Sequence, residues 1–121
     1  MPRSRPRTRS ETARSTASLY GSLDRVLSAD TIPLGRRELA RDLCAVTRGP
    51  HAFGVGFELQ TELAAFGPPA AAFGHTGSGG CTHGAWPDER VGPSFTPRRR
   101  AGAEDARGRR LLHALHEVVA R

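Results

Sequence analysis

The spacing of apolar positions changes twice along the chain, from a helical repeat to strict alternation and back again. Thr16, Leu19, Tyr20, Leu23, Val26 and Leu27 share one side of a helical repeat, with Arg14, Ser18, Ser22 and Arg25 on the other. This predicts an amphipathic helix over residues 11–28, with Tyr20 on its core face. A break follows at Ser28-Ala29-Asp30-Thr31, where Asp30 or Thr31 can cap a second helix and Pro33 sits in a tolerated first turn. That helix, predicted over 31–47, presents Ile32, Leu39, Leu43 and Val46 to a core and ends near Arg48-Gly49-Pro50.

Alternation then takes over. Phe53, Val55, Phe57 and Leu59 alternate with Gly54, Gly56 and Glu58, which predicts one strand with a single buried face. Gly67-Pro68-Pro69 closes a connection, Ala71 to His75 reads as a second strand and Cys81 to Trp86 as a third, with a turn at Pro87-Asp88-Glu89-Arg90. Val91 to Thr96 is a poorer strand, because Pro93 lacks a ladder donor and belongs at an edge or a bulge. All strands are expected within residues 52–96. The helical repeat returns over 105–120, where Leu111, Leu112, Leu115, Val118 and Val119 fall in one arc. His113 lies opposite that arc and His116 on its flank, so the two do not form a metal-binding pair.

Charge narrows the chemistry. Net charge is +6, and all 18 basic residues are arginine, since the chain has neither lysine nor asparagine. Mechanisms that need a lysine base, a Schiff-base amine or a P-loop lysine are excluded within these residues. Residues 1–10 alternate arginine with Ser, Thr and Pro and are expected to be a disordered tail. The tail is either a solvated leader or an arm making non-specific phosphate contacts. Its start has no apolar segment of the signal-peptide kind and no run is long enough to span a membrane, so the expected location is cytoplasmic. Cys44 and Cys81 are expected as free thiols. A metal enzyme using Cys44, Cys81, His75 and His83 is disfavoured, because Cys81-Thr82-His83 is too tight for a standard zinc pair.

The glycine-rich stretch Gly74 to Gly80 sets an imidazole and a hydroxyl between residues without Cβ atoms, where backbone N–H groups can meet a ligand. Taken in order, four segments resemble the C-terminal part of the β-lactamase-related serine hydrolases: Ala13-Arg14-Ser15 to Leu23, Phe53-Gly54-Val55-Gly56-Phe57-Glu58-Leu59, Phe73-Gly74-His75-Thr76-Gly77-Ser78-Gly79-Gly80, and Arg109-Arg110-Leu111-Leu112. That family includes class C β-lactamases, DD-peptidases and family VIII esterases. Its esterase-like branch commonly has His-Thr-Gly where lactamases have Lys-Thr-Gly.

The resemblance implies an α+β fold, part of a β-lactamase/transpeptidase-like domain over residues 11–121, with an antiparallel sheet flanked by helices and a C-terminal helix packed on the sheet. It implies that His75 takes the basic position, that Thr76 offers its hydroxyl to the substrate, and that Gly77 lets the strand come close. The Ser78 N–H would be an oxyanion donor, worth about 3 kcal/mol in a transition state. No cofactor or metal is implied. The family's Ser-x-x-Lys and Tyr-x-Asn motifs cannot occur without lysine and asparagine, and Tyr20-Gly21-Ser22 is no substitute because Tyr20 lies on an apolar helix face.

The expectation is therefore a C-terminal fragment of a hydrolase, inactive alone, whose completed domain would take an ester or β-lactam-like small molecule. The alternative is a small arginine-rich protein binding nucleic acid through residues 1–10, 98–100 and 107–110. It lacks aromatic residues interleaved with the arginines.

Overall fold

The computed structural model describes residues 12–102 and 105–121, and the tail expected over residues 1–10 lies outside them. Among the described residues the order is α1 (Ala13–Gly21), α2 (Leu23–Val26), α3 (Thr31–Gly35), β1 (Glu38–Leu43), β2 (Pro50–Gly54), β3 (Glu58–Leu59), β4 (Phe73–Thr76), β5 (Thr82–Ala85), β6 (Ser94–Phe95) and α4 (Arg107–Val119). The strands form one sheet in the order β1-β2-β3-β4-β5-β6. Every pairing is antiparallel, so the sheet is a simple meander.

Helix α1 starts at a reciprocal cap: the Ser15 N–H donates to Thr12 Oγ1 at 3.1 Å and the Thr12 N–H to Ser15 Oγ at 3.2 Å. The helix expected over 11–28 is interrupted, because Ser22 leaves helical geometry and serves both as the C-cap of α1 and the N-cap of α2. Helix α1 packs on β5 and β6. Its approach to the connection between those strands depends on glycine, since a Cβ on Gly92 would land on the Ala17 carbonyl and the Gly21 nitrogen.

The second helix expected over 31–47 is corrected. Only Thr31–Gly35 is helical, and Glu38–Leu43 is the edge strand β1. Leu39 and Leu43 satisfy a helical spacing, but with Arg41 between them they satisfy an alternating one equally. Pairing with β2 decides, running from Glu38 opposite Gly54 to Leu43 opposite Pro50 with a bulge between Glu38 and Ala40. The apolar side chains assigned to a core stay outside it: Leu39 is 63% exposed, Leu43 66% and Val46 89%.

The single strand expected over Phe53–Leu59 is corrected as well. It is a hairpin, with β2 and β3 joined through Val55-Gly56-Phe57 and Phe53 opposite Glu58. The Gly54 N–H donates to the Phe57 carbonyl at 2.8 Å, and the Gly56 N–H reaches the Gly35 carbonyl at 3.0 Å, pinning the bend to the end of α3. Phe57 then turns back onto Phe73, ring centroids 4.7 Å apart, and the Arg36 guanidinium lies over the same Phe73 ring at 4.8 Å.

The core gathers where α4 meets the end of β5. Phe66, Ala72, Trp86 and Leu112 are buried together, with Val91 and Phe95 packed against them. At roughly 2 kcal/mol for each large side chain taken out of water, this cluster is the main apolar contribution to folding. Residues 60–72 fold over it. The Trp86 Nε1–H donates to the Phe66 carbonyl at 2.5 Å, and the Gln60 amide ties the loop by donating to the Gly67 and Pro69 carbonyls at 2.7 and 3.1 Å. Gly67 adopts φ +94°, and a Cβ there would press on the indole. On the α4 side, Gly108 is buried against Phe95 and Thr82, so the C-terminal helix sits on the sheet.

Candidate active-site wall

Strand β4 lies between β3 and β5, with Glu58 opposite Gly74 on one side and His83 opposite His75 on the other. Alternation puts Phe73 and His75 on one face, Gly74 and Thr76 on the other. Gly74 is required by crowding, since a Cβ would fall on the His83 carbonyl oxygen and 2.5 Å from the Gly84 Cα.

Thr76 is held by Glu58. Its N–H donates to Glu58 Oε2 at 2.7 Å, and its hydroxyl reaches both carboxylate oxygens, at 2.8 and 3.1 Å. The Glu58 side chain is only 8% exposed. His51 approaches it from β2, with Nδ1 3.5 Å from Glu58 Oε1, while His51 Nε2 meets the Thr47 hydroxyl at 3.2 Å. Phe53 stacks on His51 with ring centroids 5.8 Å apart and lies tilted 6.5 Å from His75.

His75 stands in the open, its side chain 65% exposed, with Nδ1 2.6 Å from the Thr76 carbonyl and 3.9 Å from Glu58 Oε2. Beyond Thr76 the chain turns tightly. The Gly77 N–H donates to the Cys81 carbonyl and the Gly80 N–H to the Gly77 carbonyl, both at 2.9 Å. Gly77 gives its side-chain space to the Cys81 sulfur, which a Cβ would strike. Gly80, at φ +94°, likewise yields to the Asp105 carboxylate. Asp105 is gripped by Arg107, whose Nε and Nη2 reach it at 2.8 and 2.7 Å and hold its carboxyl below the usual carboxylate range. Ser78 at the tip is exposed, and its N–H has no acceptor among the described residues.

His75, Thr76, Gly77 and Ser78 are thus consecutive along one strand end and its turn. His83, cross-strand from His75, meets the Ser94 hydroxyl at 2.7 Å through Nδ1. Burial, and then the charge of His75, push the His83 imidazole below its usual range. Tyr20, half-buried on α1, has its phenol pushed up by burial and then by Glu58. Cys44 and Cys81 are unpaired and half-buried. Among the described residues no three His, Cys, Asp or Glu side chains gather as a metal requires, so the set Cys44, Cys81, His75 and His83 is not formed.

Sequence reading gave no role to Glu58, His51 or Asp105. The signal for Glu58 was a carboxylate lodged between Phe57 and Leu59 in an otherwise apolar run. Its contact with Thr76 depends on strand pairing, which local sequence does not carry.

No family model matches this sequence, and no curated protein does either. Solved structures do. A penicillin-binding protein homologue from Caulobacter crescentus superposes with a TM-score of 0.79 at 28% identity, over 88% of this chain. The fold is that of the β-lactamase-related hydrolases. A family VIII carboxylesterase matches with a TM-score of 0.75, also at 28% identity, over 84% of the chain. This chain spans 31% and 30% of the lengths of those two proteins. Neither of two surface hollows is lined by His75: one runs along α4 between Arg109, His113 and Glu117, the other lies beside Arg36, Gln60 and Phe73. Among the described residues no helix is long and apolar enough to cross a membrane.

Proposed function

We propose that Phe73 to Gly80 forms the substrate-side wall of a serine acyl-transfer site, for ester or β-lactam-type substrates, and that the chain by itself is inactive. The observation that carries this reading is the Gly-His-Thr-Gly strand end, set in a β-lactamase-related sheet with an exposed imidazole and an unengaged N–H at Ser78. His75 is placed to exchange a hydrogen bond with the reacting groups, Ser78 N–H to meet a developing oxyanion, and Gly77 to leave the approach open. Within these 121 residues no Ser-x-x-Lys supplies a nucleophile. Since nucleophile and base act as a unit, a wall alone retains little of the rate.

Two measurements test the proposal. The isolated chain is expected to show no serine labelled by a fluorophosphonate and no p-nitrophenyl ester hydrolysis above buffer; a labelled serine overturns inactivity. A chimera in which residues 12–121 replace the matching segment of the family VIII carboxylesterase is expected to hydrolyse the ester. Replacing His75 by Ala in that chimera should lower kcat by about a hundredfold or more. A folded chimera indifferent to His75→Ala removes the assignment.

A further inference from the structure

Glu58 is a carboxylate buried beside Thr76 under the candidate wall, and acyl transfer as proposed above gives it no task. We infer that Glu58 is the positioning residue of this strand: it clamps Thr76 and, through the Thr76 carbonyl, fixes His75 in the tautomer that leaves Nε2 facing the ligand. The role in ligand binding rests on the acyl-transfer reading; the clamp itself does not.

The tautomer follows from donor chemistry. His75 Nδ1 lies 2.6 Å from a backbone carbonyl oxygen, which can only accept, so Nδ1 carries the proton. In the neutral ring Nε2 then holds the lone pair. It is on an exposed side chain, which would sample other rotamers if the carbonyl moved. That carbonyl belongs to Thr76, whose N–H and hydroxyl are both engaged by Glu58 at 2.7 and 2.8 Å. Two consecutive links, the first of them doubled, therefore run from the buried carboxylate to an open imidazole.

The surroundings supply donors to a buried carboxylate. A buried carboxylate is costly unless donors and positive charge compensate it. Thr76 supplies two donors, and imidazoles stand near each oxygen, His51 from β2 at 3.5 Å and His75 from β4 at 3.9 Å. His51 Nδ1 has no hydrogen-bond partner and is itself shut off from solvent, so the Glu58 charge is what it faces. From α1, Tyr20 is held protonated partly by the same charge, and from β5 His83 is held neutral partly by His75. The Thr76 hydroxyl proton points to Glu58, leaving that oxygen to accept from a ligand rather than donate to one.

The ligand chemistry that matches is a hydroxyl-bearing group, which can donate to the neutral Nε2 and to the Thr76 oxygen. A lysine at position 75 would instead present a fixed cation suited to a carboxylate.

Nitrogen-15 NMR of the imidazoles in the 121-residue chain tests the clamp without any activity. At alkaline pH, wild type is expected to show Nδ1 protonated and Nε2 bare; the opposite tautomer overturns the inference. Glu58→Gln is expected to mix the tautomers, while Thr76→Val, which keeps the backbone donor, leaves Nδ1 protonated. A dispersed Glu58→Gln spectrum with an unchanged tautomer overturns the positioning role. Should Glu58→Gln fail to fold, Glu58→Asp, which keeps the charge but shortens the reach, must shift the tautomer, and an unshifted one overturns it. In the chimera described above, Glu58→Gln should cost about ten- to hundredfold in kcat, as loss of a group orienting a reactive imidazole does. An inactive wild-type chimera with the expected tautomer would sink the acyl-transfer reading and leave the clamp standing.

Discussion

Gly74 is the position at which the site strand tolerates least. Any side chain there meets backbone on β5, the His83 carbonyl and the Gly84 Cα, and neither can swing aside as a flexible side chain could. Gly74→Ala is expected to destabilise the chain by about 1–3 kcal/mol, the usual cost of overpacking, measured by urea denaturation. His83 offers a second test, through pH. Its folded pKa lies below the ordinary 6.5, so between those two values the unfolded chain binds the proton more readily. Neutral His83 thus adds stability that is fully present above about pH 6.5 and is lost as the pH falls from there through the lower folded pKa. His83→Gln should flatten the acid side of the Tm profile between about pH 7 and 5; an unchanged slope would show that His83 does not titrate differently in the two states. At this scale the sequence marks His75, Thr76, Gly77 and Ser78 as candidates because what singles them out is local, a ring, a hydroxyl and a turn between glycines. Glu58 leaves no such local mark, because the residue it binds, Thr76, is brought to it only by the pairing of β3 with β4.

Among the elements, β1 and the β2–β3 hairpin show where periodicity misleads. Leu39, Leu43 and Val46 were assigned to a buried helical stripe, yet all three are more than half exposed, so burial never selected their conformation. Pairing with β2 did, and pairing leaves no local trace. In Phe53 to Leu59 the alternation runs unbroken through a bend, because Val55 and Phe57 continue the apolar pattern while the chain reverses. Gly54 and Gly56 lie against the end of α3, where a Cβ on Gly54 would strike the Gly35 carbonyl and the Gly56 N–H donates to it. In α4 the repeat is regular but only partly used: Leu112 is buried, while Leu111 and Val118 are 53% and 66% exposed. Such a stripe promotes self-association. Replacing Leu111 and Val118 together by Gln is expected to lower light scattering at high concentration while changing stability by no more than about 1 kcal/mol. A large drop in Tm would mean that the stripe packs more tightly than its exposure indicates.

For the whole molecule, the order of segments was the most legible feature, since helix, Gly-Phe-Glu-Leu, Gly-His-Thr-Gly and final helix recur along a sheet of β-lactamase-related form. The meander favours folding through local contacts, each strand pairing with its neighbour in sequence. Both outer strands, β1 and β6, have a side without a strand partner among the described residues. Stability therefore leans on the cluster of Phe66, Trp86 and Leu112. Trp86→Phe, which leaves the Phe66 carbonyl without its donor and a gap beside Gly67, should cost about 2–4 kcal/mol by denaturant titration.

That indole is also the chain's only tryptophan. It is shut away from solvent, with the His116 ring edge-on at 5.3 Å. Its fluorescence consequently reports the closing of residues 60–72 and the docking of α4 over the end of β5, and is blind to β1 and the β2–β3 bend. Emission that shifts to the red while the far-ultraviolet circular dichroism persists would mark a chain that has kept its strands and opened its seal.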